Sequence, residues 1–243
     1  MPPNLEGATT NLVDFGDRRG HRHHGLFGAL LIEPKGSTWL DPSTGKPVRS
    51  GAVADVRWTD AKGVAQAFRE QALNWQDGLN LRTSTGAAIP TASEVDDPYE
   101  QGNRGINYRT ERYAPRLATE LQQAWVNSSQ VHGDPATPLL RAYVGEQVRV
   151  RLLQGSDRGR AHSVTISGHS WNYLPGDPSS RLISTEGKLL PAEGRTLRMT
   201  AGGPLGFGGD YLYRDGLLTN QVNAGLWGLF RVYDTLTPGL KPL

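Results

Sequence analysis

Any chemistry in this chain must be done without a thiolate. The sequence has six histidines and no cysteine, which excludes disulfides, zinc–thiolate sites and thiol nucleophiles. A blue-copper centre needs a cysteine thiolate beside two imidazoles, so none can be built from this chain alone. The histidine imidazoles are therefore the side chains that could bind a metal. They occur in the stretch HRHH, which contains His21, His23 and His24, and in AHSVTISGH, which contains His162 and His169.

Other reactive arrangements are not indicated by the sequence. No serine, histidine and aspartate occur in a recognisable nucleophile motif. The turn GFGGD lacks the following helix that phosphate binding would need. Asp96 and Asp97 lie in a long polar stretch and are interpreted as solvated. Asp215 follows Arg214 directly, and a salt bridge between these two neighbours is the expected role of its carboxylate.

The second histidine segment has the alternation of a half-buried strand. In AHSVTISGHSW, Val164 and Ile166 share one face with His162, and Thr165 and Ser167 share the other. His162 is therefore expected either to bind metal or to be a half-buried histidine bonded to the backbone.

Neighbouring segments predict the strands that must position these residues. LLRAYVGEQVRVRLLQ predicts a strand pair around Gly145, with its valines facing a core and with Arg149 and Arg151 facing water. FREQALNWQDGLNL predicts a strand that is closed by a turn at Asp77 and Gly78. Together with 30 glycines and 16 prolines, which break the chain into short segments, these patterns indicate an all-β protein with many turns.

Composition excludes several classes of partner. The 26 Lys and Arg residues nearly balance 24 Asp and Glu residues and are scattered along the 243-residue chain, so a nucleic-acid partner is not expected. No apolar stretch approaches the roughly 20 residues that a membrane span requires. The N-terminus MPPNLEGATT lacks the basic and then apolar order of a secretory signal, so this chain is expected to carry no export signal.

The chain is predicted to divide into unequal parts. GLFGALLIEP, residues 25–34, predicts a buried strand with no earlier strand to pair with. We therefore expect residues 1–40 to be the C-terminal end of a truncated domain. Residues 41–64 are rich in Gly, Pro, Ser, Thr and Asp and are interpreted as a linker. The main domain is expected to cover residues 65–236, followed by a tail at residues 237–243.

The order of the segments carries a family resemblance. GLFGALLIEP with GSTW is followed by FREQALNWQDG, INYRTERY, VHGDPATPLLRAYVGEQVRVRLL, AHSVTISGHSW, and GDYLYRD with GLWGLFRV. Over residues 25–232 this order resembles multicopper oxidases, particularly large bacterial multidomain members. The resemblance implies a cupredoxin-like Greek-key β-sandwich with a partial N-terminal cupredoxin remnant. It also implies copper as the cofactor and a secreted or periplasmic location.

The ligand positions of that family are mostly occupied by other residues here. The family strand HxxHxHGH resembles AHSVTISGH, so His162 stands at the type 1 copper position and Thr165 and Ser167 stand at two positions of the trinuclear cluster. The family motif HCH corresponds to Arg214, Asp215 and Gly216. His21, His23 and His24 fall where the family often places copper-binding histidines. These three and His162 are the metal candidates, although the first three are also compatible with a solvated loop.

Three hypotheses follow for the function. The first is a multicopper-oxidase-like cupredoxin unit that is non-catalytic alone, a scaffold or fragment of a larger copper-dependent oxidase. The second is an active copper-dependent oxidoreductase that completes its copper sites with another chain or a symmetry mate. Its partners would be other cupredoxin domains or further copies of itself. The third is a carbohydrate or protein-binding module that uses exposed aromatic residues, namely Trp58, Trp75, Trp125 and Trp171.

Overall fold

Two sheets packed face to face form the body of the protein. A computed structural model describes residues 6–17, 21, 26–89, 103–119, 123–155, 161–217 and 221–243. Within those ranges the strands are β1 (Thr9–Val13), β2 (Phe27–Leu31), β3 (Thr38–Leu40), β4 (Val53–Thr59), β5 (Ala65–Leu79), β6 (Asn103–Ile106), β7 (Leu140–Tyr143), β8 (Gln147–Gln154), β9 (His162–Ile166), β10 (Trp171–Asn172), β11 (Leu182–Ile183), β12 (Thr185–Leu189), β13 (Gly194–Thr200), β14 (Gly209–Asp215) and β15 (Trp227–Tyr233).

Each of the two main sheets contains both parallel and antiparallel strand pairs. One has the strand order β13-β8-β5-β4-β3, with β6 paired to β5, and the other has the order β12-β9-β14-β15-β7. In each sheet one pair is parallel, β5 with β8 and β15 with β7, while the other pairs are antiparallel. Two small sheets, β1-β2 and β10-β11, complete the strands. The predicted all-β sandwich is therefore confirmed.

The core lies between the two sheets and follows the predicted alternation. The β9 strand buries His162, Val164 and Ile166, while Ser163 and Thr165 on the other face are only half-buried. Apolar side chains of both sheets meet these residues in one cluster, which includes Leu73, Trp75, Val150, Leu152, Tyr213 and Phe230. Burying such side chains contributes about 1.5–3 kcal/mol each.

Short helical segments cover part of the five-stranded sheet on its outer side. They are α1 (Tyr113–Thr119), a 3-10 turn (Gln123–Trp125) and α2 (Ser129–His132). Trp227 on β15 packs edge-on against Tyr113 and donates its indole hydrogen to Glu111 O at 2.6 Å. No helix in the described ranges is long and apolar enough to cross a membrane.

The strand predicted at residues 25–34 is observed as β2, but its partner differs from the expectation. We expected no earlier strand, whereas β1 pairs with β2 to form an N-terminal hairpin. The short polar stretch TTNLV carries too little apolar alternation to be identified as a strand from the sequence. The hairpin lies across β8 and β13, where Asn11 donates to Glu193 O at 2.7 Å and the Thr9 and Thr196 hydroxyls are 2.9 Å apart.

Arg149 and Arg151 do not face water as predicted, because the hairpin covers that face of β8. Arg151 is fully buried and contacts Glu33, which follows β2, and Glu70 of β5, the latter at 2.7 Å from Nε to Oε1. Arg149 Nη1 is 2.9 Å from Glu33 Oε2. These four residues, Arg149, Arg151, Glu33 and Glu70, are the hairpin cluster. The contacts of the two arginines with the two glutamates anchor the hairpin to the sandwich.

The stretch predicted as a linker at residues 41–64 contains β4, which pairs with β3 and β5 in the six-stranded sheet. The hydrophobic alternation of β4 is not recognisable in the sequence because Asp55, a charged residue, points inward. There it is buried and accepts hydrogen bonds from Arg69 at 2.8 and 3.4 Å. Arg69 also donates to Lys241 O at 2.5 Å. The tail at residues 237–243 is thereby attached to the same sheet. The division into a truncated domain and a main domain stays a prediction.

Candidate functional site

The predicted metal candidate His162 begins β9 and has its whole side chain buried between the two sheets. Its ring lies beside Trp75 of β5, with 6.1 Å between the ring centroids. This location matches the inward face expected from the strand alternation. His162 was expected to bond to the backbone, but its hydrogen-bond partners are two carboxylates.

Both ring nitrogens of His162 are bonded to aspartates. Nδ1 is 2.6 Å from Asp215 Oδ2, and Nε2 is 2.8 Å from Asp77 Oδ2. Asp215 ends β14 in the five-stranded sheet, whereas Asp77 lies in β5 of the six-stranded sheet. An ionised carboxylate only accepts hydrogen bonds, so both nitrogens must donate and the ring is an imidazolium. The histidine therefore bridges the two sheets as a cation.

The surroundings of His162 stabilise this charge. Burial is the largest single influence on the pKa of His162 and acts to lower it. The charges of Asp77 and Asp215 and their hydrogen bonds to the ring together outweigh burial and raise the pKa to about 10. The ring consequently carries its proton at neutral pH.

The two aspartates have further buried partners. Asp215 Oδ1 accepts a hydrogen bond from Leu217 N at 2.9 Å. Asp77 Oδ1 is 3.1 Å from Arg104 Nε, and the same nitrogen donates to Gln221 Oε1 at 2.9 Å. His162, Asp77, Asp215 and Arg104 are the core cluster. Its two cations match its two carboxylates, which is the condition under which buried charges are tolerated.

This donor set does not fit a copper ion. Copper takes neutral imidazole through a nitrogen lone pair, and a type 1 centre adds a thiolate. Here both nitrogens of His162 donate to carboxylates, and Asp215 stands at the position that the resemblance gives to the thiolate. Across the described residues, no group of three or more His, Cys, Asp or Glu side chains is arranged to hold a metal ion.

Of the other metal candidates, the described residues include His21, and it is not brought to this position. His21 follows β1 and contacts Asp14, with its side chain 45% exposed. It shares no hydrogen bond or ion pair with His162 among the described residues. His23 and His24 lie outside the described residues.

Asp215 does not form the salt bridge predicted with Arg214. The two side chains point to opposite faces of β14, since they are consecutive in a strand. The Asp215 carboxylate contacts His162 in the core, whereas Arg214 Nη1 donates to the backbone oxygen of Asp215 at 2.8 Å. Arg214 therefore lies on the outer face of the sheet, together with Thr165 and Ser167.

His169, which lies just after β9, differs from His162 in its hydrogen-bond partners and in the direction of its pKa shift. Its Nδ1 donates to Ser167 O at 2.8 Å, and its Nε2 accepts from Gly202 N at 3.2 Å. Burial lowers the pKa of His169, in agreement with a neutral ring between Tyr211 and Phe230. This histidine joins two loops through its two nitrogens.

Sequence reasoning missed Asp77, Arg104 and Gln221 as members of the buried cluster. Asp77 precedes Gly78 and was predicted to close a strand in a turn, but β5 continues to Leu79. A buried aspartate within a strand is recognised only through its cation. That cation is far away in the sequence, so no local pattern could have identified it.

Comparison with known proteins agrees with the fold. No family profile and no curated sequence matches the chain. Among solved structures, a copper nitrite reductase from Nitrosomonas europaea is similar, with a TM-score of 0.54 and 16% identity over 97% of this chain. A Cu-containing nitrite reductase from Thermus scotoductus SA-01 has a TM-score of 0.48 and 13% identity, also over 97% of this chain.

The chain spans 65% of the first of these proteins and 46% of the second. The likeness to the Nitrosomonas europaea structure shows the fold, and the protein is an all-β, cupredoxin-like sandwich as predicted. At this level of identity the likeness is no evidence for the activity of this chain. The more specific resemblance, to multicopper oxidases, stays a hypothesis.

Proposed function

We propose that this chain is a multicopper-oxidase-like cupredoxin unit that is non-catalytic alone and serves as a scaffold or a part of a larger copper-dependent oxidase. One observation carries this proposal. His162, which the resemblance to multicopper oxidases assigns to the type 1 copper position, has both nitrogens bonded to buried aspartates at 2.6 and 2.8 Å.

The chemistry of that position favours a proton over a metal. A copper ion would need a free lone pair on His162, so the ring would have to lose a proton and break at least one of its two charged hydrogen bonds. Each such bond contributes about 1.5–3 kcal/mol. No thiolate is available to compensate, since the chain has no cysteine.

The same contacts support a scaffold role. His162 and its two carboxylates connect β5 of one sheet to β9 and β14 of the other. In the proposed oxidase, this unit would present a rigid sandwich to neighbouring cupredoxin domains or to further copies of the chain. The mass of the native assembly, measured by light scattering, identifies such partners.

Copper loading tests the proposal directly. The purified chain is incubated with Cu(I) without oxygen, oxidised, and dialysed against buffer without copper. We expect no intense blue absorption, since that band arises from a copper–thiolate bond, and no copper retained at His162. A blue band, or bound copper that is lost in His162→Gln, would overturn the proposal.

Two further measurements keep the test decisive if His162→Gln does not fold. In the native chain, nitrogen NMR of His162 should show a proton on each ring nitrogen at neutral pH, and a single protonated nitrogen contradicts the proposal. The double variant His21→Ala, His23→Ala should bind as little copper as the native chain. Copper that is retained only by an oligomer and lost in this variant would favour the active oxidoreductase completed by another chain.

A further inference from the structure

The outer face of the five-stranded sheet contains an open recess of about 450 Å3. Its side chains are mostly small and bear hydroxyl groups. Beside Arg214 they include Thr165, Ser167, Ser170, Ser184 and Thr185. No carboxylate is among the residues that line it.

Strand register places three of these side chains in one row. Thr165 on β9 is the direct partner of Thr185 on β12 and of Arg214 on β14. Directly paired residues of adjacent strands point to the same face, and adjacent strands are about 4.8 Å apart. Ser167 lies two residues beyond Thr165 and therefore shares that face. Two hydroxyls and a guanidinium thus stand side by side, with a third hydroxyl next to them.

Arg214 differs in its partners from three arginines that form ion pairs. Arg69, Arg151 and Arg231 each contact two carboxylates. Arg214, in contrast, makes one hydrogen bond to a backbone oxygen and no ion pair among the described residues. A guanidinium has five donor hydrogens, so most of its donors remain available to a ligand in the recess.

The hydroxyls beside Arg214 are available as well. Within the described ranges, the side chains of Thr165, Ser167 and Thr185 have no hydrogen-bond partner in the protein, and Ser170 and Ser184 have none either. The recess therefore offers one positive charge and several hydroxyl donors without any competing negative charge. This combination is complementary to a small oxyanion, which accepts several hydrogen bonds at once.

We propose that the recess around Arg214 is a binding site for an oxyanion of the phosphate or sulfate type, either free or as the end group of a larger ligand. The guanidinium binds two oxygens of the anion, and the Thr165 and Thr185 hydroxyls donate to the others. The site uses no metal and is independent of the scaffold role proposed above. Because it is open to solvent, a dissociation constant of about 1–10 mM for the free anion is expected.

An NMR titration at constant ionic strength tests this site. Inorganic phosphate, inorganic sulfate and phenyl phosphate are added separately to the native chain. We expect saturable shifts at the Arg214 side-chain nitrogens and at the amides of Thr165 and Thr185. Equal affinity for phosphate and phenyl phosphate indicates a site for the free anion, whereas tighter binding of the ester indicates the end group of a larger ligand. The absence of a saturable shift with all three overturns the proposal.

Matched variants separate the site from general charge effects. Arg214→Gln should weaken phosphate binding by about tenfold or more, and Thr165→Val should weaken it by about threefold. The control is Arg82→Gln, because Arg82 is exposed and, like Arg214, donates Nη1 to one backbone oxygen, that of Gly86 at 3.1 Å. Arg82→Gln should bind phosphate like the native chain.

Two outcomes of the variant series would contradict the proposal. Unchanged phosphate binding in a folded Arg214→Gln variant would show that the anion binds elsewhere. A change of oligomeric state in Arg214→Gln, without any phosphate binding by the native chain, would show that the recess holds a second copy of the chain. Circular dichroism and the melting temperature confirm that each variant is folded.

Discussion

The core cluster and the hairpin cluster combine buried cations and carboxylates in different settings. In the core cluster, His162 lies between Asp77 and Asp215 and joins the two sheets. In the hairpin cluster, Arg151 lies between Glu33 and Glu70 and joins the N-terminal hairpin to the outside of one sheet. The first is enclosed by the hydrophobic core, whereas the second lies under a two-stranded hairpin.

The difference shows how contacts between buried cationic and acidic side chains stabilise two levels of structure. Loss of the core cluster removes the polar bridge between the halves of the sandwich. Loss of the hairpin cluster detaches a peripheral segment and leaves the sheets paired. We therefore expect changes in the core cluster to affect global unfolding, and changes in the hairpin cluster to affect mainly local opening.

The largest effect is expected from His162→Leu. This change leaves Arg104 as the remaining cation of the core cluster beside two buried carboxylates, and we expect the free energy of unfolding to fall by about 3–5 kcal/mol. Urea unfolding measures the loss. The double variant His162→Leu, Asp215→Asn leaves Asp77 paired with Arg104, so it removes the uncompensated charge and should recover part of the stability. A loss below about 1 kcal/mol in the single variant would show that His162 is not a buried cation.

A smaller effect is expected where the hairpin touches β13. A Cβ atom at Gly194 would lie 2.6 Å from Thr9 O, which belongs to the backbone of β1. Gly194→Ala should therefore displace the hairpin and cost about 1–3 kcal/mol. Gly187→Ala in β12 is the matched control, because a Cβ there meets nothing within 4 Å. Faster proteolysis within the hairpin of Gly194→Ala alone is the expected result, and equal rates in both variants would contradict the close contact.

The pH dependence of the hairpin follows from Glu33. Burial, the largest influence, raises the pKa of Glu33 from 4.5 to about 8, with a further increase from Glu70 and opposing effects of Arg151 and Arg149. Arg198 is the other nearby cation, and Glu33 in turn affects its pKa. Folding therefore favours the protonated carboxyl. Its contribution is complete below about pH 4.5 and is lost as the pH rises through 8.

We expect the native chain to lose about 1–2 kcal/mol more stability than Glu33→Gln between about pH 7 and pH 9. The variant keeps the shape of the side chain and cannot titrate, so it isolates this group. Urea unfolding at several pH values provides the measurement. Parallel pH profiles of the native chain and the variant would show that Glu33 does not take up a proton on folding.

The smallest effect is expected from His21→Ala. His21 contacts Asp14 at a half-exposed position after β1, and exposed ion pairs contribute little. The melting temperature should change by less than about 2 °C. A larger decrease would place His21 in a structural or metal-binding role that its contacts do not indicate.

The parts of the fold that could be predicted are those with a regular local pattern. The alternation around His162 gave the inward and outward faces of β9 correctly, and the apolar run at residues 25–34 is a strand. The segment order gave the sandwich through its resemblance to a family. These signals are local, or are repeated along the chain, and a single sequence contains them.

The remaining features depend on pairs of residues that are distant in the sequence. Arg151 was expected in water because its strand alternates, but β1, which completes the hairpin that covers it, has no recognisable pattern. The partners of His162 come from β5 and β14, and neither aspartate has a local sign of its role. The recess around Arg214 likewise arises from the register of three strands. Long-range pairing is what a single sequence does not reveal.

The parallel pairing of β5 with β8 has a consequence for how the protein folds. Arg69 is aligned with Val148, and Trp75 with Gln154, so the central pair of the larger sheet joins segments that are far apart along the chain. Such pairings must close a long loop before they gain any contact, and proteins that are rich in them fold slowly, in milliseconds to seconds. During synthesis, β5 leaves the ribosome long before β8 and has an unpaired edge in the meantime. Chaperones or neighbouring chains therefore have the greatest opportunity to bind the protein during this interval.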